Sequence, residues 1–314
     1  VRAVIIGYGN IGRKRKEVLG GECIATVDPY NVEADYRRIE EIALSEYDSV
    51  VLSLPNEEKE RMIRWALERG KNVLVEKPFL PSSPEIFDEF KMIAKAHSAI
   101  FYVSYNHRFE PQVQKMKSLL SQSEIGEIYQ GRFFYGNGTI QNVLGTWRDQ
   151  GLGVLEDLGS HLVDLYDYLI GNPQQSFKMV AANRYEGSSC DHVIFQTADG
   201  HFLFETSMIS WKNTFTIDLY GEKGSLHLDG LSKWGGSTLS MRKRVFPSGR
   251  PEELVQTLYG VDRSWRDDWN YFTSLVAQGR STFEKDRWIA DSLWDCGQME
   301  TESGVLRPVA WEEG

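Results

Sequence analysis

The run Val4-Ile5-Ile6 passes directly into Gly7-Tyr8-Gly9-Asn10-Ile11-Gly12. This juncture constrains the chain more than any other feature. A GxGxxG hexamer alone occurs by chance, but a buried strand before it and a helix after it mark a nucleotide-binding βαβ unit. Gly7 permits the tight turn. Gly9 lets a pyrophosphate approach backbone N–H groups at the helix N-terminus, and Gly12 lets helix and strand pack closely. A plain strand-to-helix turn is the competing reading. Asp28 closes the next apolar run, about 20 residues on, where an acid accepts ribose hydroxyls. A carboxylate there repels a 2′-phosphate, so NAD is expected in preference to NADP. Arg13 and Lys14 lie near enough to soften that preference, and Asp28 could instead be a turn residue before Pro29.

Short apolar runs at 4–6, 23–27, 49–54, 72–76 and 100–104 alternate with helical periodicity, which predicts a parallel sheet with helices on both faces. In the helix over 57–70, Met62, Ile63, Ala66 and Leu67 share one face and Gly70 stands at C′. Ser83-Pro84-Glu85 reads as an N-cap, a proline at the first helical position and an acid in the first turn. The pattern changes near Tyr105. Longer alternating strands are expected at 127–136, 177–182, 192–198, 201–207 and 214–220, with Asp199-Gly200 as a type I′ hairpin turn. Ser264 is expected to cap a helix bearing Trp265, Trp269, Phe272 and Leu275, and a second helix follows from about Glu284. The fold class is therefore α/β: a Rossmann parallel sheet, then an α+β domain with a large, mostly antiparallel open sheet. The division falls at 1–104 and 105–314.

Two further segments carry chemistry. Glu76-Lys77-Pro78 follows the fourth run, at the strand edge where open α/β sheets bind ligands. A Lys there can reach a nicotinamide ribose and a substrate hydroxyl, and Pro78 can fix the turn as a cis peptide. In Glu156-Asp157-Leu158-Gly159-Ser160-His161, Asp157 and His161 are four apart and share a helix face. A carboxylate that orients an imidazole is an acid–base arrangement. Two readings compete: a metal set of Asp157, His161 and Asp164, which lacks a recognised ligand spacing, and a structural histidine. No metal is expected.

The 314 residues, 41% hydrophobic and 25% charged, exclude wholesale disorder. The net charge of −10 argues against nucleic acid as a partner. No apolar run is long enough to span a bilayer, so no membrane contact is expected. Cys23, Cys190 and Cys296 are far apart with no CxxC, which predicts a reducing, cytoplasmic location.

Taken together, Gly7 to Gly12, Leu54-Pro55-Asn56, Glu76-Lys77-Pro78, Tyr105-Asn106-His107-Arg108-Phe109, Asp157 to His161 and Gly221-Glu222-Lys223-Gly224-Ser225-Leu226 resemble, in order, the Gfo/Idh/MocA oxidoreductases, the group of glucose–fructose oxidoreductase and inositol dehydrogenase. The resemblance implies three catalytic residues, Lys77, Asp157 and His161. His161 would be the general acid/base on the reacting carbinol, Lys77 would polarise the same oxygen, and Asp157 would hold the ring or the substrate. It implies cofactor contacts from Gly7, Tyr8, Gly9, Asn10, Ile11, Gly12, Asp28, Leu54, Pro55, Asn56, Glu76 and Lys77. It brings Tyr105, Asn106 and Arg108 to the substrate, and it implies a homo-oligomer, dimer or tetramer, through the open sheet. Two departures stand out. The segment from Asp28 to Val50 is short, so a Rossmann helix is expected to be truncated or lost, and Lys59 stands where the family often has His.

The family implies a small sugar-like substrate: a sugar, polyol or sugar nucleotide. Trp147 could stack on a sugar face and Arg148 could pair with a carboxylate or phosphate; a core Trp and a surface ion pair is the alternative. The primary expectation is hydride transfer between NAD and a carbinol or ketone. A redox-neutral NAD-dependent glycosidase and a non-catalytic dinucleotide-binding regulator are the other readings. Biliverdin reductase is a more distant relative.

Overall fold

The computed structural model describes residues 1–171, 175–260 and 262–303, with side chains to 298. In chain order the main elements are β1 (Ala3–Ile6), α1 (Asn10–Leu19), β2 (Cys23–Val27), β3 (Ser49–Leu52), α2 (Asn56–Leu67), β4 (Asn72–Glu76), α3 (Glu85–Ala96), β5 (Phe101–Ser104), α4 (Pro111–Ser121) and β6 (Ile128–Gly136). They continue with α5 (Ser160–Ile170), β7 (Phe177–Asn183), β8 (His192–Thr197), β9 (Phe202–Ser207), β10 (Thr214–Gly221), β11 (Gly224–Asp229), β12 (Ser237–Lys243), β13 (Glu253–Leu258), α6 (Ser264–Gln278) and α7 (Phe283–Ser303).

The described residues divide into two compact units: 1–106 with 263–290, and 107–262 with 291–303. The expected division at 104 thus lies beside the change at 106, but α6 and the start of α7 return to the first unit. The last residues of the expected second domain, 304–314, lie outside the described residues.

In the first unit five parallel strands run in the order β2-β1-β3-β4-β5. A parallel sheet needs both faces covered. Between β2 and β3 the chain forms no α-helix, only 3₁₀ turns at Ile39–Glu41 and Leu44–Glu46, so the expected loss of a Rossmann helix is seen directly. The face holding Ala3, Ile5, Val51 and Leu74 is closed instead by Leu19 of α1 and by Trp269, Phe272 and Leu275 of α6. Gly70 has φ +67° and ends the α2 segment as expected. Ser264 is the first residue of α6 and makes no cap; its Oγ accepts the Asn106 side chain at 2.8 Å. Likewise α3 begins at Glu85, with Pro84 rather than Ser83 at the N-cap.

In the second unit eight strands run β13-β12-β11-β10-β6-β9-β8-β7, all antiparallel but for the parallel pair β6–β9. One face carries Phe133, Phe195, Phe204, Ile217 and Leu219, all at most 1% exposed, with Tyr166 of α5 set edge-on to Phe202 and Phe204. The opposite face is half-exposed and mixed, with Arg132, Glu205, Thr216 and Asp218 beside Phe134, Ile194 and Leu203. The Asp199-Gly200 hairpin is not type I′. Only Gly200 has positive φ, +77°, and its N–H closes a turn on the Thr197 carbonyl. Asp199 escapes the left-handed region because its carboxylate accepts the Thr197 hydroxyl and the His201 N–H, which fixes a different turn.

Candidate active site

The strand-to-helix turn forms as its glycines require. Gly7 has φ +94°, and a Cβ there would lie 2.3 Å from the Ser53 carbonyl oxygen. A Cβ on Gly12 would lie 2.0 Å from the Gly7 carbonyl oxygen, so helix and turn approach as closely as backbone allows. A Cβ on Gly9, the N-cap of α1, meets no atom within 4 Å. The first turn of α1 has neither a side-chain cap nor an acidic residue. Its orphan N–H groups therefore suit an anionic group approaching over Gly9. Asp28 sits at the end of β2, with Oδ2 accepting the Tyr8 N–H at 2.8 Å and Oδ1 accepting those of Tyr30 and Asn31. Partial burial opposes ionisation, but these three N–H groups outweigh it and hold the carboxyl below its usual range. The residues fit a dinucleotide: N–H groups for the pyrophosphate, Asp28 for the ribose. Leu54 and Asn56 are half-buried and Pro55 exposed at the start of α2.

Lys77 is half-buried directly after β4, and the Lys77–Pro78 peptide is cis. Buried cations grip the turn on both sides. Lys59 of α2, 2% exposed, reaches Asn56 Oδ1 at 2.7 Å and donates to the Pro78 carbonyl. On the other side, Arg15 of α1 is fully buried, with Nε 2.5 Å from Glu76 Oε1 and Nη1 2.9 Å from Asp268 Oδ2. Ser104 and Tyr102 complete the cluster on Arg15 and Asp268. Burial raises the Glu76 pKa; Arg15 pulls it down, and the Asp268 carboxylate adds to the rise, leaving it above the ordinary value. Neither Arg15 nor Asp268 was singled out from sequence. Tyr105 and Asn106 also pack within this unit, Tyr105 under the Lys285 ammonium and Asn106 on Ser264.

In the second unit Asp157 lies on a π-helical turn, Leu155–Gly159, and His161 on α5, which continues from it, so the four-residue step between them does not follow a regular α-helical face. Such turns often occur at functional positions, because the wider spiral displaces side chains from the α-helical track. Asp157 is 1% and His161 3% exposed. Arg148 Nε lies 3.5 Å from Asp157 Oδ2, and its guanidinium rests on the Trp147 ring. Arg148 is therefore paired with a candidate catalytic carboxylate, and Trp147 is half-buried. The neighbouring Asp149 accepts the N–H groups of Gly145, Ser188 and Ser189, anchoring this turn. Arg108 makes a bidentate pair with Asp164 and lies 3.9 Å from Asp167. The carboxylates weighed as metal ligands thus hold arginines, and no metal-binding group of three or more such side chains occurs among the described residues.

Sequence reasoning gave His107 no definite role. Its ring stacks on His161 with centroids 3.8 Å apart, and its Nε2 lies 2.9 Å from Lys233 Nζ. Tyr135 borders both imidazoles. Burial, and next the Asp157 charge, push its phenol pKa well up.

The class so defined is an oxidoreductase with a Rossmann domain. Residues 1–105 match the model of the oxidoreductase family with an NAD-binding Rossmann fold, and residues 113–227 match the GFO/IDH/MocA C-terminal domain. The chain belongs to the Gfo/Idh/MocA family. It is 26% identical over 244 residues to the uncharacterized oxidoreductase YdgJ of Escherichia coli, covering 72% of this chain and 70% of that one. It is 22% identical over 249 residues to the inositol 2-dehydrogenase of Rhizobium meliloti, covering 72% and 74%. An uncharacterized oxidoreductase of Schizosaccharomyces pombe is 33% identical, but the match spans only 44% of this chain and 38% of that protein's length. Among solved structures, the fold matches levoglucosan dehydrogenase in complex with NADH, with TM-score 0.76, 18% identity and coverage of 96% and 97%. It matches an NAD-binding oxidoreductase of Klebsiella pneumoniae with TM-score 0.81, 18% identity and the same coverage.

Proposed function

We propose that the protein is an NAD-dependent dehydrogenase that moves a hydride between the cofactor and a carbinol or ketone carbon of a sugar, polyol or sugar nucleotide. The observation that carries this is the burial of two titratable side chains close in the chain, Asp157 on the π-turn and His161 on α5, a setting that suits acid–base work. Nicotinamide, when bound, supplies the hydride acceptor or donor. His161 takes the hydroxyl proton in oxidation and returns it in reduction. Lys77 polarises the same oxygen, and its turn is fixed by Lys59 and Arg15. Asp157, itself held by Arg148, orients the ring. The inositol, levoglucosan and UDP-sugar dehydrogenases among its relatives and structural neighbours support the substrate class.

Absorbance at 340 nm with NAD over a panel of polyols, sugars and nucleotide sugars tests the reading. Lys77→Ala and His161→Ala should each lower turnover about 10²-fold or more while NADH binding persists. Near wild-type rates in both would dismiss the role assignment. Product release from aryl glycosides without net NADH would favour the redox-neutral reading.

We also propose a homo-oligomer, dimer or tetramer, assembled through the half-exposed face of the eight-stranded sheet; a monomer by light scattering at micromolar concentration would count against it. The three cysteines form no disulfide, which supports a reducing, cytoplasmic location. Among the described residues, no helix is long and apolar enough to cross a membrane.

A further inference from the structure

Lys233 and His107 lie outside the catalytic set proposed above, yet both bear on it. Lys233 Nζ is 2.9 Å from His107 Nε2, a hydrogen-bond distance. Of the two groups, the ammonium holds its proton by about four pH units over an imidazole, so Lys233 donates and His107 Nε2 accepts. That fixes His107 as neutral, with its proton on Nδ1. His107 is 1% exposed, and its ring lies on His161 at 3.8 Å between centroids and 27° between planes. A protonated His161 would therefore place a cation one ring away from the Lys233 ammonium, in a setting where water screens little.

We propose that Lys233 is a positioning residue for His161: it locks His107 as a neutral acceptor and thereby keeps the His161 imidazole neutral and ready to accept a proton. The proposal rests on reading His161 as the general acid/base. The other titratable groups named in this unit each have partners of their own. Asp157 on the π-turn favours the imidazolium, but it is held by Arg148. Asp164 on α5 is held by Arg108. Tyr135 on β6 stays a neutral phenol. Glu110 accepts the Ser232 hydroxyl and N–H, and burial raises its pKa, against those bonds and the pull of Lys233. Lys233 also stacks on Trp234 and lies 3.4 Å from the Tyr135 hydroxyl, so aromatic rings hold its ammonium in place. Its loss removes that positive charge, while the Arg148–Asp157 and Arg108–Asp164 pairs do not include Lys233.

The test is a histidine-selective NMR titration of the full chain, practicable because there are six histidines. His161→Gln assigns the resonance. In Lys233→Met the His161 pKa should rise by about one unit, as expected when a nearby like charge is removed. Lys233→Arg should keep it within a few tenths of the wild type. The wild-type His107 ring should carry its proton on Nδ1. An unchanged His161 titration in Lys233→Met, or a protonated His107 Nε2 in the wild type, would overturn the proposal. Should Lys233→Met fail to fold, Lys233→Gln replaces it with the same expectation. In turnover, the acid limb of the kcat/KM profile should move to higher pH in Lys233→Met and stay put in Lys233→Arg. The NMR reading stands without any substrate. If Lys77→Ala and His161→Gln were as active as wild type, the function reading would fail while the Lys233 coupling would still be judged on its own.

Discussion

Arg15 Nε lies 2.5 Å from Glu76 Oε1, joining the helix that follows the glycine turn to the residue before Lys77. Arg15 is fully buried, and Asp268 on its other side is too. A cation taken out of water is tolerable only with such partners. One helix residue thus sets the distance between the expected pyrophosphate site and the expected catalytic lysine, within a single compact unit. Sequence spacing alone gives Lys77 a place at the strand edge; this pair and Lys59 give it a fixed one.

Removing the charge of Arg15 strands two buried carboxylates. Arg15→Met should therefore cost about 3–5 kcal/mol of stability, the usual scale for breaking a buried pair from one side. Urea unfolding of the wild type and the variant measures it. A loss under about 1 kcal/mol would mean that the cluster relaxes or takes up protons without strain.

What was legible in the sequence was local. The five Rossmann strands, the glycine turn and Gly70 announce themselves within a few residues, because apolar runs and left-handed glycines are set by neighbouring chain. The Asp157–His161 motif likewise lies within one short segment. Arg15 was not: it lies in Arg13-Lys14-Arg15-Lys16, which reads as a solvated face, and its partner Glu76 is 61 residues away. Lys233 meets His107 across 126 residues, and no local pattern joins them. The strands β11 to β13 were missed because β11 and β12 mix Ser, Thr and charge with their apolar residues, and β13 is exposed along most of its length. The π-turn is set by hydrogen-bond register, which periodicity does not report.

Gly9 and Gly12 should separate cofactor binding from folding. A Cβ at Gly9 meets no protein atom within 4 Å, so Gly9→Ala should fold with near wild-type stability. The added methyl would stand where a pyrophosphate must approach the N–H groups, so NADH affinity should fall tenfold or more, about 1.4 kcal/mol. A Cβ at Gly12 would lie 2.0 Å from the Gly7 carbonyl oxygen, so Gly12→Ala should lower the melting temperature as well. Thermal melts and NADH fluorescence titration on both variants decide it. Unchanged NADH binding in Gly9→Ala would remove the glycine turn from the cofactor site.

Asp28 should set the choice of dinucleotide. Three backbone N–H groups keep its carboxyl ionised, so its negative charge is present throughout the neutral range. NADH should bind at least about tenfold more tightly than NADPH, a difference of about 1.4 kcal/mol. Asp28→Ser should narrow that ratio by weakening NADH and relieving the repulsion of a 2′-phosphate, with Arg13 and Lys14 left to attract it. Equal dissociation constants for the two cofactors in the wild type would overturn the assignment.

Asp149 should shape the acid limb of stability. Its carboxylate, 4% exposed, accepts the N–H groups of Gly145, Ser188 and Ser189, binding the Trp147–Asp149 turn to the loop before β8. Burial opposes the charge, but these N–H groups prevail and hold its pKa below the ordinary 3.8. The unfolded chain then binds a proton at a pH where the folded chain does not, so stability rises with pH through that window. The contribution is fully present above pH 3.8 and is lost as pH falls through the folded value. Asp149→Asn leaves part of these N–H groups unmet and should cost about 1–3 kcal/mol at neutral pH. The gap between wild type and variant should close as the pH falls from 3.8 through the lower folded value. Paired urea unfolding curves from pH 7 to pH 2.5 measure it. A gap independent of pH would show that the Asp149 charge contributes nothing, leaving only the shape of its hydrogen bonds to hold the turn beside Arg148 and Asp157.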